Sequence, residues 1–211
     1  MATVRASDTA YATIQAMILG LRLAPGAFLN EQALATDIGL GRVPVREALA
    51  RLAKDRFITV LPRRGTVVTP LTLEDVLDMF EAREAIECGV AYIAATRANP
   101  ADLERLRQLV ATADEARMVA DHERFLLDDH AVHTCLVHMV RNPLLQDAAD
   151  ILLLHSLRFW RLYWTNRPPQ TDSMLSHAQL IAALESRDPE QAEEAMRAHL
   201  HASRQLVQLL F

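Results

Sequence analysis

NEQALATDIGLGRVPVREALARLAKDRFITVLPRRGTVVTP, residues 30–70 of this 211-residue chain, reads as two short helices followed by a hairpin. Asn30 stands where a side chain can cap a helix that runs to about Ile38, and Gly39-Leu40-Gly41 breaks it. A second helix spans about Arg42 to Lys54. Two β-rich runs follow, FITVL at 57–61 and TVVT at 66–69, separated by Pro62-Arg63-Arg64-Gly65. Upstream, a helix near 8–20 ends before the turn Ala24-Pro25-Gly26. Three helices and a hairpin predict a winged helix-turn-helix over residues 1–69. Thr69-Pro70 is its natural boundary, because proline cannot continue a strand ladder.

Within the helix at 42–54, Val45, Leu49, Leu52 and Ala53 form the inward side. Arg42 and Arg46 lie four residues apart on the other side, in the first turns. A recognition helix presents its N-terminal residues to base edges in the major groove, where arginine pairs bidentately with guanine or grips phosphate. Pro44 is tolerated because first-turn N–H groups have no helical partner. Arg63, Arg64 and Gly65 fall at the hairpin tip, where arginine can enter a neighbouring minor groove. Taken singly, each is an ordinary solvated charge; their order and the local charge favour DNA. Residues 1–69 hold nine basic and five acidic residues, a net +4, whereas 70–211 hold thirteen and twenty-two, a net −9. A basic front on an acidic body suits a DNA-binding domain joined to something else.

The remainder shows no strand alternation. Asn99-Pro100, Asn142-Pro143 and Asp188-Pro189 each place a capping residue before a proline at the first helical position. Thr72-Leu73-Glu74-Asp75 resembles a capping box. These signals predict helices near 72–97, 100–118, 121–140, 143–165, 172–186 and 189–210. Residues 70–211 are therefore expected to form an all-α antiparallel bundle, making the chain mainly helical. RFWRLYW at 158–164 has helical spacing and reads as core or dimer packing rather than a nucleic-acid or membrane surface. Two cysteines, Cys88 and Cys135, make no disulfide framework and no zinc spacing. No run approaches the ~18 apolar residues of a membrane span, and no secretory leader is visible. A cytoplasmic protein that does not engage the membrane is expected.

Eight histidines invite a metal reading, so each must be placed on its helix. On 121–140 the apolar stripe is Phe125, Leu126, Val132, Leu136, Val137 and Val140, and Asp129 and His133, four apart, interrupt it on the inward side. His177 opens the stripe Leu180, Ile181, Leu184. His199 lies on the stripe of Ala192, Met196, Ser203 and Leu206. One carboxylate and three imidazoles thus point toward a common interior from three helices. A buried unpaired carboxylate is costly, and a metal offsets that cost. His201 falls on the solvent face; His122, His130 and His138 lie nearer boundaries, and His155 reads as a hydrogen-bonded core histidine. For any one of the four ligand candidates a core role is the better reading; the joint placement favours a metal. Arg83 and Glu87, four apart, form either an intrahelical ion pair or a site for a ligand carboxylate, and the Arg-then-Glu order is the weaker one for pairing.

The segment GRVPVREAL with its PxxG wing resembles the winged-helix domain of the GntR family of bacterial transcription regulators. The resemblance implies that Arg42 and Arg46 contact an operator, helped by Gln32, Val43, Pro44, Arg64 and Gly65. Gly41 stands where that family usually has Ser, and Arg56 replaces a usual glycine. LDDHAVH and SHAQLIAALESRDPEQAEEAMRAHL, in that order, resemble the FCD domain of the FadR subgroup within that family. That likeness implies a six- or seven-helix bundle with Asp129, His133, His177 and His199 as ligands of one divalent ion of zinc, nickel or manganese type. It also implies a small carboxylate metabolite as effector and Arg83, in REAIE, as its partner.

The expected protein is not an enzyme. It is a metabolite-responsive regulator, more often a repressor in this family, that binds a palindromic double-stranded operator as a homodimer. A dimer reads a palindrome with recognition helices ~34 Å apart, and Thr69-Pro70-Leu71 is a short connection between the domains. Two rivals stand beside this reading. A metal-dependent hydrolase would use the open coordination positions to activate water, but no separate general base stands out and a DNA reader would be superfluous. A constitutive DNA-binding protein with an inert bundle would leave the inward Asp/His cluster without a purpose.

Overall fold

The computed structural model describes residues 5–165 and 177–208, and the chain divides into two compact units, Met1–Thr72 and Leu73–Phe211. The first holds α1 (Ala6–Leu19), β1 (Phe28–Leu29), α2 (Glu31–Ile38), α3 (Arg42–Lys54), β2 (Ile58–Leu61) and β3 (Gly65–Val68). α1 packs on α3 around Ile14, Ile18, Leu52, Phe57 and Val68, all fully or nearly fully buried. The sheet order is β1-β3-β2, antiparallel, with Leu61 opposite Gly65 and Phe28 opposite Val67. This is the expected winged helix-turn-helix, with one addition. β1 is only two residues long, too short for any alternation to show in sequence, and pairing with β3 alone defines it.

The turns follow local chemistry. The Asn30 side chain accepts from the Ala33 N–H at 2.9 Å, and Gly39 ends α2 in the left-handed conformation, φ 69°. α3 ends in a Schellman motif, in which the Phe57 N–H bonds the Leu52 carbonyl and the Arg56 N–H that of Ala53. That motif puts Arg56 at φ 62°, a conformation that favours glycine. At the wing, the Arg64 N–H bonds the Leu61 carbonyl across Pro62-Arg63, with Arg63 at φ 62° in the position of a type II turn that usually holds glycine.

The second unit comprises α4 (Leu73–Arg97), α5 (Pro100–Met118), α6 (His122–Met139), α7 (Pro143–Thr165), α8 (Ala178–Glu185) and α9 (Pro189–Gln208). Asn99 and Asp102 form a reciprocal capping box, and Asp121, Asn142 and Asp188 accept from first-turn N–H groups of α6, α7 and α9. The expected start of a helix at 172 and the last residues of 189–210 lie outside the described residues. α4 packs on α9, α5 on α6, α6 on α7 and α8 on α9, around Leu106, Leu136, Met139, Leu180, Leu184 and Met196. Phe80 of α4 meets Phe159 and Trp160 of α7 edge-on at 6.5 and 6.3 Å, so the aromatic run of α7 packs inward. α6 and α8 end on arginines in the left-handed region, Arg141 and Arg187. Their guanidinium groups reach helix-end carbonyls, Arg187 to Ala98 at 2.9 Å and Arg141 to Met139 at 2.8 Å. Among the described residues no helix is long and apolar enough to cross a membrane.

Candidate functional site

In the first unit, Gln32 on α2, Arg42, Val43 and Arg46 on α3, and Arg64 and Gly65 on the wing are exposed, while Pro44 is half-buried. Val45, Leu49 and Leu52 anchor the opposite face of α3 in the core. Gly41 caps α3 through its backbone conformation alone, with no side-chain bond. Arg46 donates from Nε and Nη2 to the Glu31 carboxylate at 3.2 and 3.0 Å, and Arg42 Nη2 lies 4.0 Å from it. The sequence reading missed Glu31. Its only signal was an acidic residue in the first turn of α2, which suits that helix end for its own reasons.

In the second unit, Asp129 and His133 on α6, His177 at the N-terminus of α8 and His199 on α9 come together. Their potential ligand atoms all lie within 4.8 Å of one another. His177 Nε2 is 3.4 Å from His133 Nε2 and 3.4 Å from Asp129 Oδ1, and His133 Nε2 is 3.9 Å from Asp129 Oδ2. Ligands about 2.0–2.1 Å from a tetrahedral ion sit about 3.3–3.4 Å apart, so this spacing needs little adjustment. Burial lowers the His177 pKa to about 4 and, helped by His177 and His133, drives that of His199 well below its ordinary value. Both rings are therefore neutral near pH 7, the form in which imidazole ligates. His199 Nδ1 is buried without a hydrogen-bond partner. His177 occupies the N-cap position of α8 yet makes no side-chain capping bond. An orphaned buried nitrogen, neutral imidazoles and one carboxylate together fit a divalent ion.

Of the other histidines, His130, expected nearer a boundary, lines the same small cavity as Arg83, Asp129 and His133. His201 is exposed and 3.1 Å from Glu84 Oε2, His138 is exposed, and His122 stacks on Trp164. Arg83 is buried, and both alternatives for it can be weighed on geometry. Its Nε donates to Glu87 Oε1 at 2.5 Å and its Nη1 to Ser156 at 2.9 Å, so the ion pair with Glu87 is present. Glu87 was not singled out beyond that pair, yet its Oε2 also lies 2.5 Å from His133 Nδ1. No spacing rule links residues on two separate helices, so this contact had no sequence signal. Arg83 and Asp129 line cavities of only about 30 and 10 Å³, whereas an opening of about 370 Å³ lies between α8 and α9, with His177, His199 and four alanines around it.

Comparison with known proteins agrees with both halves of this geometry. The model of the bacterial regulatory proteins of the gntR family matches residues 6–68, and that of the FCD domain matches residues 78–202. An uncharacterized HTH-type transcriptional regulator from an unstable DNA locus of Streptomyces ambofaciens is 31% identical over 91% of this chain and 80% of its own length. The HTH-type transcriptional repressor RspR of Escherichia coli (strain K12) is 29% identical over 90% and 83%. The solved structure of E. coli McbR/YncC superposes with a TM-score of 0.85 over 99% of each chain at 20% identity, a likeness of fold. With both family models matched in order and a relative aligned along most of its length, the chain belongs to the GntR family of bacterial transcription regulators, a DNA-binding protein whose second unit is an FCD domain and which is not an enzyme.

Proposed function

We propose that this protein is a metabolite-responsive repressor that binds a palindromic operator as a homodimer and senses a small carboxylate through one divalent metal ion. The observation that carries this reading is the convergence of Asp129, His133, His177 and His199, from three helices, inside a unit joined to a DNA reader. The four would hold the ion, and the ion would supply positive charge and open positions for an oxygen ligand. One carboxylate and three neutral imidazoles leave a divalent ion with a net charge of about +1, which favours an anionic effector. Arg83 has N–H groups beyond those given to Glu87 and Ser156, and it lines a cavity with Asp129 and His199, so it can meet an effector carboxylate without leaving Glu87. The opening of about 370 Å³ between α8 and α9 gives an effector access to His177 and His199. The cavity at Arg83, about 30 Å³, holds about one water, so an effector that also reaches Arg83 has to widen it, and that displacement is the proposed signal. In the first unit, Gln32, Arg42, Val43, Pro44, Arg46, Arg64 and Gly65 form the operator surface, and Arg42 and Arg46 exchange Glu31 for DNA. The repressor RspR supports the choice of repression over activation.

The test is a titration of operator DNA, with metal-loaded protein, in the presence and absence of candidate carboxylates. An effector that weakens operator binding must itself bind more weakly, by the same factor, to the operator complex. Equal effector affinity with and without operator rejects the sensing half of the proposal. For the metal, His199→Ala should lower bound metal on mass-spectrometric counting while His201→Ala should not; equal metal in the two rejects the ligand set.

A further inference from the structure

The geometry points to Glu87 as the positioning residue of this cluster: from α4 it takes the Nδ1 hydrogen of His133 and so turns a bare Nε2 toward Asp129 and His177. The inference rests on the metal reading above and deepens it.

Glu87 and His133 are both about 2% exposed, and Glu87 Oε2 lies 2.5 Å from His133 Nδ1. Arg83 engages both Glu87 oxygens, Nε to Oε1 at 2.5 Å and Nη2 to Oε2 at 3.4 Å, and a carboxylate paired in this way is in its ionised form. An ionised carboxylate only accepts hydrogen bonds, so the hydrogen in this contact belongs to Nδ1. A neutral imidazole carries one N–H, which leaves Nε2 with an in-plane lone pair, and Arg83 Nη2, at 3.4 Å from both ring nitrogens, lies over the ring face and does not take it. Nε2 is also the atom that faces His177 Nε2 at 3.4 Å and Asp129 Oδ2 at 3.9 Å. Glu87 therefore settles both the tautomer of His133 and the rotation of its ring. Arg83 in turn holds Glu87, through Nε to Oε1 and Nη2 to Oε2, and Ser156 holds Arg83. The relay crosses from α7 through α4 to α6. Carboxylate partners of this kind are worth about 10- to 100-fold in metal affinity where they orient a ligand histidine.

Glu87→Gln tests this while keeping the side-chain volume. Its amide oxygen goes to the Arg83 cation and its NH₂ to His133 Nδ1, which moves the ring hydrogen to Nε2, where it blocks ligation. Long-range ¹⁵N–¹H correlation spectra of the metal-free proteins should show His133 as the Nδ1–H tautomer in the wild type and the Nε2–H tautomer in Glu87→Gln. Zinc affinity, measured by competition with a chromophoric chelator, should fall about 10- to 100-fold in that variant. Glu84→Gln, at a half-buried cluster with Arg197 and His201 away from the four ligands, serves as the control and should bind zinc like the wild type. Wild-type zinc affinity in Glu87→Gln, or an Nε2–H tautomer in the wild type, overturns the assignment. If Glu87→Gln does not fold, the wild-type tautomer alone decides. A wild type that takes up no zinc but shows the Nδ1–H tautomer overturns the metal reading and leaves Glu87 as the group that orients His133.

Discussion

Each unit of this protein sets a glutamate against an arginine, and the two pairs live in opposite surroundings. In the winged-helix unit Arg46 meets Glu31 at 3.0 Å with the two side chains 63% and 35% exposed; in the bundle Arg83 meets Glu87 at 2.5 Å with both at 3% or less. Water screens the first pair, so it holds weakly and can be exchanged for a phosphate or a guanine edge at small cost. The second pair has no water to fall back on. Removing either partner strands a charge in the interior, so this pair is committed to the fold. The same chemistry stands on a surface where partners can be exchanged and in a centre where they cannot.

The contrast is sharpest on removal of the acid. Glu87→Ala should cost the bundle about 3–5 kcal/mol, because Arg83 loses its counter-charge while buried. Glu31→Ala should cost the winged helix no more than about 1 kcal/mol, the worth of an exposed pair and a first-turn charge. Both tryptophans, Trp160 and Trp164, lie in the bundle, so in urea unfolding tryptophan fluorescence reads that unit, while amide exchange of α2 and α3 reads the winged helix. Small, equal effects in the two variants would remove the distinction between a committed pair and an exchangeable one.

Acid should separate the units next. All eight histidines fall after residue 72. Burial holds His177 at about 4 in the folded state, with Asp129 opposing the shift and His133 adding to it, against an ordinary value near 6.5. A depressed folded value means the unfolded chain takes up the proton first. Stability is therefore complete above about pH 6.5 and is lost as the pH falls toward 4, by about 3 kcal/mol from His177 alone. Thermal melts of chelator-treated protein between pH 7 and 4 should show the bundle weakening with no matching histidine-driven change in the winged helix. A flat profile would mean that the imidazoles are not buried as neutral groups.

DNA binding divides the arginines in the reverse sense. Arg42→Ala and Arg46→Ala should each lower specific operator affinity about ten- to a hundredfold in gel-shift titrations without altering the bundle's unfolding. Arg83→Lys, which keeps a buried cation, should bind operator like the wild type and lose effector response. Normal operator binding by both α3 variants would unseat α3 as the reading helix.

The smallest effect separates two left-handed arginines. Arg56→Gly should stabilise the winged helix by about 1 kcal/mol, since its side chain is exposed and its φ of 62° is strained for any residue with a Cβ. Arg187→Gly relieves the same strain but gives up the bond to the Ala98 carbonyl, so it should gain little. Amide exchange of α3 and α8 reads the two locally.

Most helix limits were legible because caps are local: Asn99 and Asp102 sit three residues apart and make their bonds whatever else the chain does. The four cluster residues were legible for a similar reason, since Asp129 and His133 interrupt an apolar stripe and His199 lies on one. Arg83 was only half legible. Its spacing to Glu87 announced a pair, while its burial depends on how α4 packs on α7. Glu31 and the Glu87–His133 contact were invisible because each joins residues from different helices, and strand β1 exists only through its partner.

His177, placed at the start of α8 without capping it, has a consequence for anyone who alters this protein. Ser, Asp or Asn at that position, once ψ moves from 13° to the extended range of a capping residue, would satisfy a first-turn N–H and strengthen an eight-residue helix by up to about 1 kcal/mol. The chain forgoes that stability and keeps an imidazole aimed at Asp129 and His133. A laboratory selection for heat resistance alone would therefore be drawn to this residue, and its winners would be sturdier proteins with one imidazole of the proposed metal site removed.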